Sequence, residues 1–392
     1  MNTQNTPVHI TLWHKGFWLL SLANLFVTMA VYALLPTMPQ WLMQYEHFSP
    51  FYTGVSMGAF ALGLFAFGGF CSYLVQRYRR NWVCIRAILL MAVLIAAIFY
   101  LHDNHITIVD VWAIIAQRFL LGATFGLAKM VLSSTLIVDT SESFQRTEAN
   151  HSTSWFARFA LSLGPLAGIM VNQLFGFGAV LLVCVALCLT AVVLIRMVDF
   201  PFRAPEENVS IVSLDRFFMP HGFPLFFNLF IVTLAVGLIM SVELDFTFYG
   251  MIMTGFFLAL LAQRFAFINA ELKSEVVTGL ILIFAALLAM VTRHAVVINY
   301  AAPTMIGLGI GIIAARFLLF FIKLSRHCQR GTSQSTFILS WESGIALGIG
   351  LGYAFFYGNS HLALVLALSL ISIAMALYIL FTHTWFIKNK NR

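Results

Sequence analysis

The chain contains 392 residues, of which 61% are apolar and 9% are charged, and its formal net charge is +7. A soluble domain averages about 25% charged residues, because its water-facing surface must carry charge. The composition therefore excludes a water-soluble enzyme, a disordered chain, a collagen-like fibre and a secreted disulfide scaffold. Continuous apolar runs of about 20 residues are long enough to cross a bilayer as helices. We therefore expect an all-α integral membrane protein, with the lipid bilayer as its surroundings.

Twelve apolar runs, bounded by polar clusters, predict twelve membrane spans. They cover 16–40, 51–75, 83–101, 107–131, 150–172, 175–198, 223–243, 247–268, 276–292, 295–322, 336–357 and 361–386. Both termini and the connections after even-numbered spans are rich in basic residues, whereas the opposite connections hold only Arg293. By the positive-inside rule, this bias predicts a multi-pass protein of the cell inner (plasma) membrane with both termini in the cytoplasm. The same bias accounts for the positive net charge, so we expect no nucleic-acid partner.

The longest hydrophilic connection divides the spans into six and six. We expect an N-terminal six-helix bundle over 1–200, a cytoplasmic linker over 201–222 and a C-terminal six-helix bundle over 223–392. Five apolar side chains of the linker fit either a short helix on the membrane surface or a loop with a few buried side chains. They are Ile211, Val212, Leu214, Phe217 and Phe218.

A short internal repeat links the two halves. Ser154 and Trp155 precede Gly164 in the fifth span, and Ser340 and Trp341 precede Gly350 at the same spacing in the eleventh span. Duplicated halves that face one another are the architecture of alternating-access carriers, whose substrate site lies at the interface of the halves.

Three local motifs resemble those of the major facilitator superfamily. Residues 164–168, Gly-Pro-Leu-Ala-Gly, are similar to the GPxxG motif of its proton-coupled exporters, and residues 118–122, Arg-Phe-Leu-Leu-Gly, to its RxxxG motif. Residues 72–81 resemble its gating loop, GxLxDRxGR(R/K). The resemblance implies a secondary transporter of twelve helices in two six-helix halves, and a monomer. It also implies that the first, fourth, seventh and tenth helices line a central cavity.

The gating loop is degraded in this chain. Leu74, Arg77 and Arg80 fit the pattern, so the resemblance implies a gating role for the two arginines. Three other positions depart from it: Ser72 and Arg79 replace the glycines, and Gln76 replaces the acid. Loss of the acid removes the charge on which such a gate depends.

Polar side chains on the four cavity helices are candidate hydrogen-bond contacts to a solute. They are Asn24, Tyr32, Asn228, Asn299, Tyr300 and Thr304.

Cations within the spans are the stronger candidates, because a charge at mid-bilayer costs roughly 3 kcal/mol and is usually kept for a pathway, a pair or a ligand. At 100° per residue, Arg118 and Lys129 share one face of the fourth helix, and we expect that face to contact the solute. Arg118 alternatively bonds to helix carbonyls, and Lys129 alternatively snorkels to the surface. Arg158 of the fifth span is a third candidate for solute binding, or the partner of a buried carboxylate.

Glu342 is the one acid that the sequence places clearly within a span. Burial of a carboxyl group favours its neutral form, which suits a group that carries a coupling proton. The alternative role for Glu342 is a static ion pair with Arg158.

Small residues recur every fourth position in the fifth span. Ala160, Gly164 and Gly168 therefore form one stripe, and such stripes let helices approach closely in lipid. Pro165 removes one helix hydrogen bond, which favours a bend. The stripe predicts either ordinary helix packing or a contact between the halves that opens and closes, and the resemblance favours the second.

Motifs for enzyme chemistry, including HExxH, GxSxG, the P-loop and CxxC, do not occur in the sequence. We therefore expect no enzyme activity, no metal site and no cofactor. The prediction is proton-coupled efflux of a small organic solute, anionic or amphipathic, with uptake of an organic anion by proton symport as the alternative. A non-transporting membrane sensor or a membrane-embedded enzyme is the alternative from another class. It requires an output domain or a catalytic constellation.

Overall fold

The computed structural model describes residues 11–104, 110–142, 144–200, 206, 209–242, 245–292, 295–326 and 329–391. Within these residues, eleven helices are long and apolar enough to cross a membrane, and one further span is a helix pair bent by 45°. In chain order the spans are α1 Lys15–Gln44, α2 Pro50–Ala66 with Gly68–Arg77, α3 Arg80–Asp103, α4 Val111–Asp139, α5 Arg146–Phe175, α6 Phe177–Arg196, α7 Pro220–Val242, α8 Phe246–Ala266, α9 Leu272–Thr292, α10 Val296–Leu324, α11 Arg330–Phe356 and α12 Ser360–Asn389. The expected all-α membrane protein of twelve spans is confirmed.

Helix packing repeats between the two halves. In the first half α1 packs on α5 and α6, α2 packs on α4, and α3 packs on α6. The second half repeats each pair six helices later: α7 on α11 and α12, α8 on α10, and α9 on α12. The halves therefore share one arrangement, as the Ser-Trp repeat predicts.

The most extensive contacts between the halves are those of two helix pairs, α2 with α11 and α5 with α8. A Cβ atom added to Gly54 of α2 would lie 2.4 Å from the carbonyl oxygen of Gly350 in α11, so only glycine allows this approach. In the second pair, the Ser162 hydroxyl donates a hydrogen bond of 2.6 Å to the carbonyl oxygen of Tyr249. We call the face where α1 begins and α12 ends the terminal face, and the face where Gly54 lies the opposite face.

The break in α2 lies on the terminal side of the bundle. The first helix of α2 ends at Ala66 and the second begins at Gly68. The aromatic ring of Phe217 from the connection between the halves occupies the space where a Gly68 side chain would stand.

That connection is a loop over residues 209–219, so the surface-helix alternative is wrong. Ile211, Val212 and Leu214 are exposed, whereas Phe217 and Phe218 pack against the core. The loop is held by tertiary contacts rather than by helical hydrogen bonds, because its two phenylalanines have an apolar surface on which to pack.

Candidate functional site

Two small cavities lie between the halves. We call them the Arg118 cavity and the Lys129 cavity. The Arg118 cavity is lined by Val31, Tyr32, Leu35, Met57, Phe60, Arg118, Glu342, Ile345, Ala346 and Ile349. The Lys129 cavity is lined by Asn24, Lys129, Ser133, Ser154, Ala157, Arg158, Gln334, Phe337, Ile338, Trp341 and Glu342. The volume open to the centre of a water molecule is about 10 Å³ in the Arg118 cavity and about 20 Å³ in the Lys129 cavity. An organic solute is larger than either cavity, so the halves must separate before it can bind.

Glu342 lines both cavities and is 4% exposed. Its Oε2 atom accepts a hydrogen bond of 2.7 Å from the Tyr32 hydroxyl. The Trp341 indole Nε1 in turn donates to the Tyr32 oxygen over 3.3 Å. Since Tyr32 belongs to α1 and the other two residues to α11, this cluster connects the halves through a carboxylate.

Lys129 is 1% exposed and turns inward from α4 to α1. Its ammonium group donates to Oδ1 of Asn24 over 2.6 Å and to the Thr28 hydroxyl over 2.8 Å. Both acceptors are neutral, so no anion neutralises the lysine within these bonds. The snorkelling alternative is wrong, because the charged end lies in the protein interior.

Arg158 is also buried, and its guanidinium group bonds to neutral oxygens. Nε donates to the Ser154 carbonyl over 3.2 Å, Nη1 donates to the carbonyl of Gly311 in α10 over 3.1 Å, and Nη2 donates to the Ser154 hydroxyl. The guanidinium carbon lies 3.9 Å from the ring centroid of Trp155. Arg158 and Glu342 are both described residues and no salt bridge joins them, so the static-pair alternative is wrong.

Arg118 is the least compensated of the three cations. It is 1% exposed, and its Nε and Nη1 atoms have no hydrogen-bond partner among the described residues. Its guanidinium carbon lies 5.5 Å from the ring centroid of Phe60, a distance at which cation and ring attract only weakly. An uncompensated buried charge costs several kcal/mol, so this corner of the cavity favours an anion.

Four of the polar residues predicted to contact the solute do not line either cavity. Asn228 donates its amide to the Ala374 carbonyl over 3.0 Å and thereby links α7 to α12. Asn299 and Tyr300 are exposed in the first turns of α10, and the Thr304 hydroxyl donates to the Tyr300 carbonyl over 2.8 Å. Their predicted placement is wrong, because no described residue of α7 or α10 lines either cavity. α10 contacts a lining residue at Gly311, whose carbonyl accepts the hydrogen bond from Arg158. Asn24 and Tyr32 lie where predicted.

The small-residue stripe of α5 packs within one half. A Cβ atom on Gly164 would lie 2.7 Å from the Tyr32 Cβ atom, and one on Gly168 would lie 2.3 Å from the Ala33 carbonyl oxygen. Both neighbours belong to α1, so the expected contact between the halves is wrong for these two glycines. Pro165 lies within the continuous helix of α5. The close contact of Gly164 with the Cβ atom of Tyr32 therefore helps to fix the position of the Tyr32 side chain.

The two arginines of the loop between α2 and α3 differ in their surroundings. Arg77 is exposed at the end of α2. Arg80 forms a salt bridge with Asp139 at the end of α4. Arg80 and Asp139 both belong to the first half, so this salt bridge does not join the halves. A gating role for either arginine stays a prediction.

A buried ion pair between α9 and α10 was not predicted from the sequence. Glu275 in α9 is 1% exposed and its Oε2 atom lies 2.5 Å from Nε of Arg316 in α10. The sequence placed Glu275 just before its span and Arg316 near the surface. Their contact depends on how far α9 and α10 are shifted along each other, which the sequence does not show.

The sequence and the fold are both similar to those of known proteins. The family model described as Major Facilitator Superfamily matches residues 20–349. The structure is similar to the crystal structure of the human organic anion transporter MFSD10 (TM-score 0.70, 13% identity, 93% of this chain and 99% of that chain). It is also similar to the POT family transporter PepTSo (0.74, 11%, 96% and 99%) and to the fucose:proton symporter FucP of E. coli (0.62, 14%, 93% and 97%). At such identities the likeness shows the fold alone. The search of curated proteins found no match.

Proposed function

Because the chain belongs to the major facilitator superfamily, and is therefore a membrane transporter rather than an enzyme, we propose that it moves a small organic solute by alternating access. The proposed solute is an organic anion, or an amphipathic molecule with an anionic group. The proposed driving force is a proton gradient. Among the similar structures, one is named an organic anion transporter and one a fucose:proton symporter.

One observation supports an anionic solute above all. Arg118, Lys129 and Arg158 are buried beside the two cavities, and Glu342 is the one carboxylate among the described residues that line them. Charges withdrawn from water are costly unless an opposite charge compensates them. A bound anion would supply that compensation for at least two of the cations.

The apolar lining supports an organic body on the anion. The Arg118 cavity presents aliphatic and aromatic side chains from three helices, α1, α2 and α11. Burial of apolar surface contributes about 25 cal/mol per Å². An anion that carries a hydrocarbon or aromatic group would therefore bind more tightly here than an inorganic anion.

Glu342 is the proposed proton carrier. When ionised it accepts the hydrogen bond from Tyr32, and when protonated it adds no negative charge to the three cations. Protonation therefore leaves the site more positive and favours the anion while the proton is bound, so this charge argument by itself supports the symport alternative rather than antiport. Since the Tyr32 bond joins the halves, the same step changes a contact that must break when they separate.

The proposed direction is efflux by proton antiport, which rests on the resemblance of residues 164–168 to an exporter motif. The alternative is uptake by proton symport. Purified protein in vesicles with an imposed pH gradient separates these two. Opposite movement of protons and an organic anion supports antiport and contradicts symport, whereas movement in one direction does the reverse. Anion movement that ignores the gradient contradicts both.

The proposed setting is the cell inner membrane, with the terminal face in the cytoplasm. We further propose that residues 1–200 and 223–392 are the two moving bundles, that 201–222 link them, and that one chain is the transporting unit. A reporter that fluoresces only in the cytoplasm, fused to either terminus, tests the orientation. Both fusions should fluoresce, and a dark fusion at either terminus would contradict the proposed orientation.

A further inference from the structure

The connection between the halves crosses the terminal face and contacts both of them through one carboxylate. Oδ2 of Asp215 accepts a hydrogen bond of 3.3 Å from the Ser72 hydroxyl of α2. Oδ1 of the same residue accepts a hydrogen bond of 3.1 Å from the Thr332 hydroxyl of α11. Asp215 therefore bridges one helix of each half, and these are the two helices of an inter-half pair.

The neighbouring backbone strengthens this bridge. The backbone N–H of Arg216 donates to the Thr332 hydroxyl over 2.8 Å, and that of Met219 donates to the Thr336 hydroxyl over 2.9 Å. On the other side, the N–H of Ser213 donates to the Gly69 carbonyl in α2 over 2.9 Å. The loop is thus bonded to α2 and α11 by main-chain groups as well as by the carboxylate.

Arg216 adopts a backbone conformation that a free loop would avoid. Its φ angle is +58°, in the left-handed region, which is unfavourable for a non-glycine residue. Such a conformation persists when the surrounding contacts fix it. Besides its backbone bond to Thr332, Arg216 donates through Nη1 to the Thr135 hydroxyl of α4 over 3.3 Å. The loop is therefore held in one specific position on the terminal face.

Ser72 belongs to the loop motif that lacks its acid. Nε2 of Gln76, which replaces that acid, donates to the Ser72 oxygen over 3.1 Å, and Ser72 in turn donates to Asp215. Residue 76 has no carboxylate in this chain, and the carboxylate that contacts the Ser72 hydroxyl is that of Asp215 instead. Thr332 lies in the first turn of α11, where the helix dipole favours a negative charge.

We infer that Asp215 is a latch residue, which acts through Ser72 and Thr332 to hold the terminal face closed and releases when that face opens. This inference rests on the proposed alternating-access function. Asp215 keeps 44% of its side-chain surface exposed, and Nε of Arg216 lies 3.7 Å from its Oδ2 atom. Each latch bond is therefore weak enough to break in every cycle.

The direct test measures opening of the terminal face. Spin labels are placed at Tyr78, after α2, and at Arg326, after α10, in full-length protein whose five native cysteines are replaced. Electron-spin distances then report the ratio of open to closed molecules. Asp215→Asn is expected to raise this ratio about fivefold, since partly exposed hydrogen bonds to a charge contribute about 1 kcal/mol. Asp199→Asn, at an exposed acid of the same connection, is expected to leave it unchanged.

A second variant distinguishes a latch from a general loss of loop structure. Thr332→Val removes the donor hydroxyl and keeps the side-chain shape, so it is expected to raise the open ratio as Asp215→Asn does. The double variant should add little, because both changes remove one shared contact. Asp215→Glu, which keeps the charge, should stay near the parent ratio.

An unchanged ratio in both single variants overturns the latch, and so does an equal response to Asp199→Asn. Transport assays on the same samples keep the two ideas apart. If the parent moves no organic anion yet the ratio responds to Asp215→Asn, the proposed function fails and the latch stands. If the parent transports and neither single variant shifts the ratio, the latch alone fails.

Discussion

The hydroxyl of Tyr32 in α1 donates a 2.7 Å hydrogen bond to Glu342 in α11, across the interface of the two halves. Glu342 lines both interior cavities, and the buried cations Arg118, Lys129 and Arg158 line one or the other. One contact therefore combines a titratable group, a bond between the halves and the candidate binding site. Such a contact can link a proton to a conformational change without any distant pathway.

We predict that Tyr32→Phe weakens proton coupling and leaves the fold intact. The substitution removes the donor to Glu342 and keeps the ring, and a hydrogen bond to a charged group contributes about 1.5–3 kcal/mol. Proton-driven transport in vesicles should fall about tenfold or more. Tyr353→Phe is the matched control, because its buried hydroxyl has no partner among the described residues. Equal effects of the two substitutions would contradict the prediction.

We predict that Arg118→Met stabilises the empty protein and abolishes its response to anions. Removal of an uncompensated buried cation stabilises the protein by about 1 kcal/mol or more, while the anion loses its most available partner. Thermal unfolding of purified protein, with and without organic anions, measures both effects. Arg86→Met, at an exposed arginine of α3, should change neither. Anion stabilisation that survives Arg118→Met would remove this residue from the site.

The ion pair between Glu275 and Arg316 should support the fold rather than transport specificity. Arg316→Met leaves the carboxylate of Glu275 buried without its partner, which we expect to cost about 2 kcal/mol because Arg316 is partly exposed. Thermal unfolding should occur at a lower temperature, and the relative transport of different anions should stay the same. A changed order of anion preference would contradict this structural role.

Gly54→Ala should prevent closure of the opposite face. The new methyl group would lie 2.4 Å from the backbone atoms of Gly350 and Ala354 in α11, a separation that atoms do not adopt. Labelling of an engineered cysteine near Gly54 from that face should become faster, and transport should slow. Gly250→Ala in α8, where a Cβ atom meets nothing within 4 Å, is the control. Unchanged labelling would contradict the role of this contact.

Much of the membrane architecture could be predicted from the sequence, because its physical cause is local. A run of apolar residues crosses the bilayer wherever it occurs, and a charge inside such a run must face the protein interior. Arg118, Lys129, Arg158 and Glu342 lie inside the protein, as this predicts. The duplicated Ser-Trp pairs also indicated equivalent helices, and Trp341 donates a hydrogen bond to Tyr32 of the other half.

Contacts between helices could not be predicted, because they depend on the depth and rotation of each helix. Asn299 and Tyr300 lie near the start of α10, a helix that lines neither cavity. Gly164 forms the close approach that small residues predict, but its partner is α1. The latch residue Asp215 carries no signal in the sequence, since an acid in a polar loop is ordinary until its two partners are known.

The most direct measurement of the central claim is anion exchange and proton flux by Glu342→Gln in vesicles. The neutral amide still fills the space beside Tyr32 but exchanges no proton at neutral pH. We predict that this variant exchanges labelled organic anion for unlabelled anion across the membrane and carries no proton current, while Glu148→Gln, at an exposed acid in the first turn of α5, keeps both. Proton flux coupled to anion movement at the parent rate in Glu342→Gln would contradict the account.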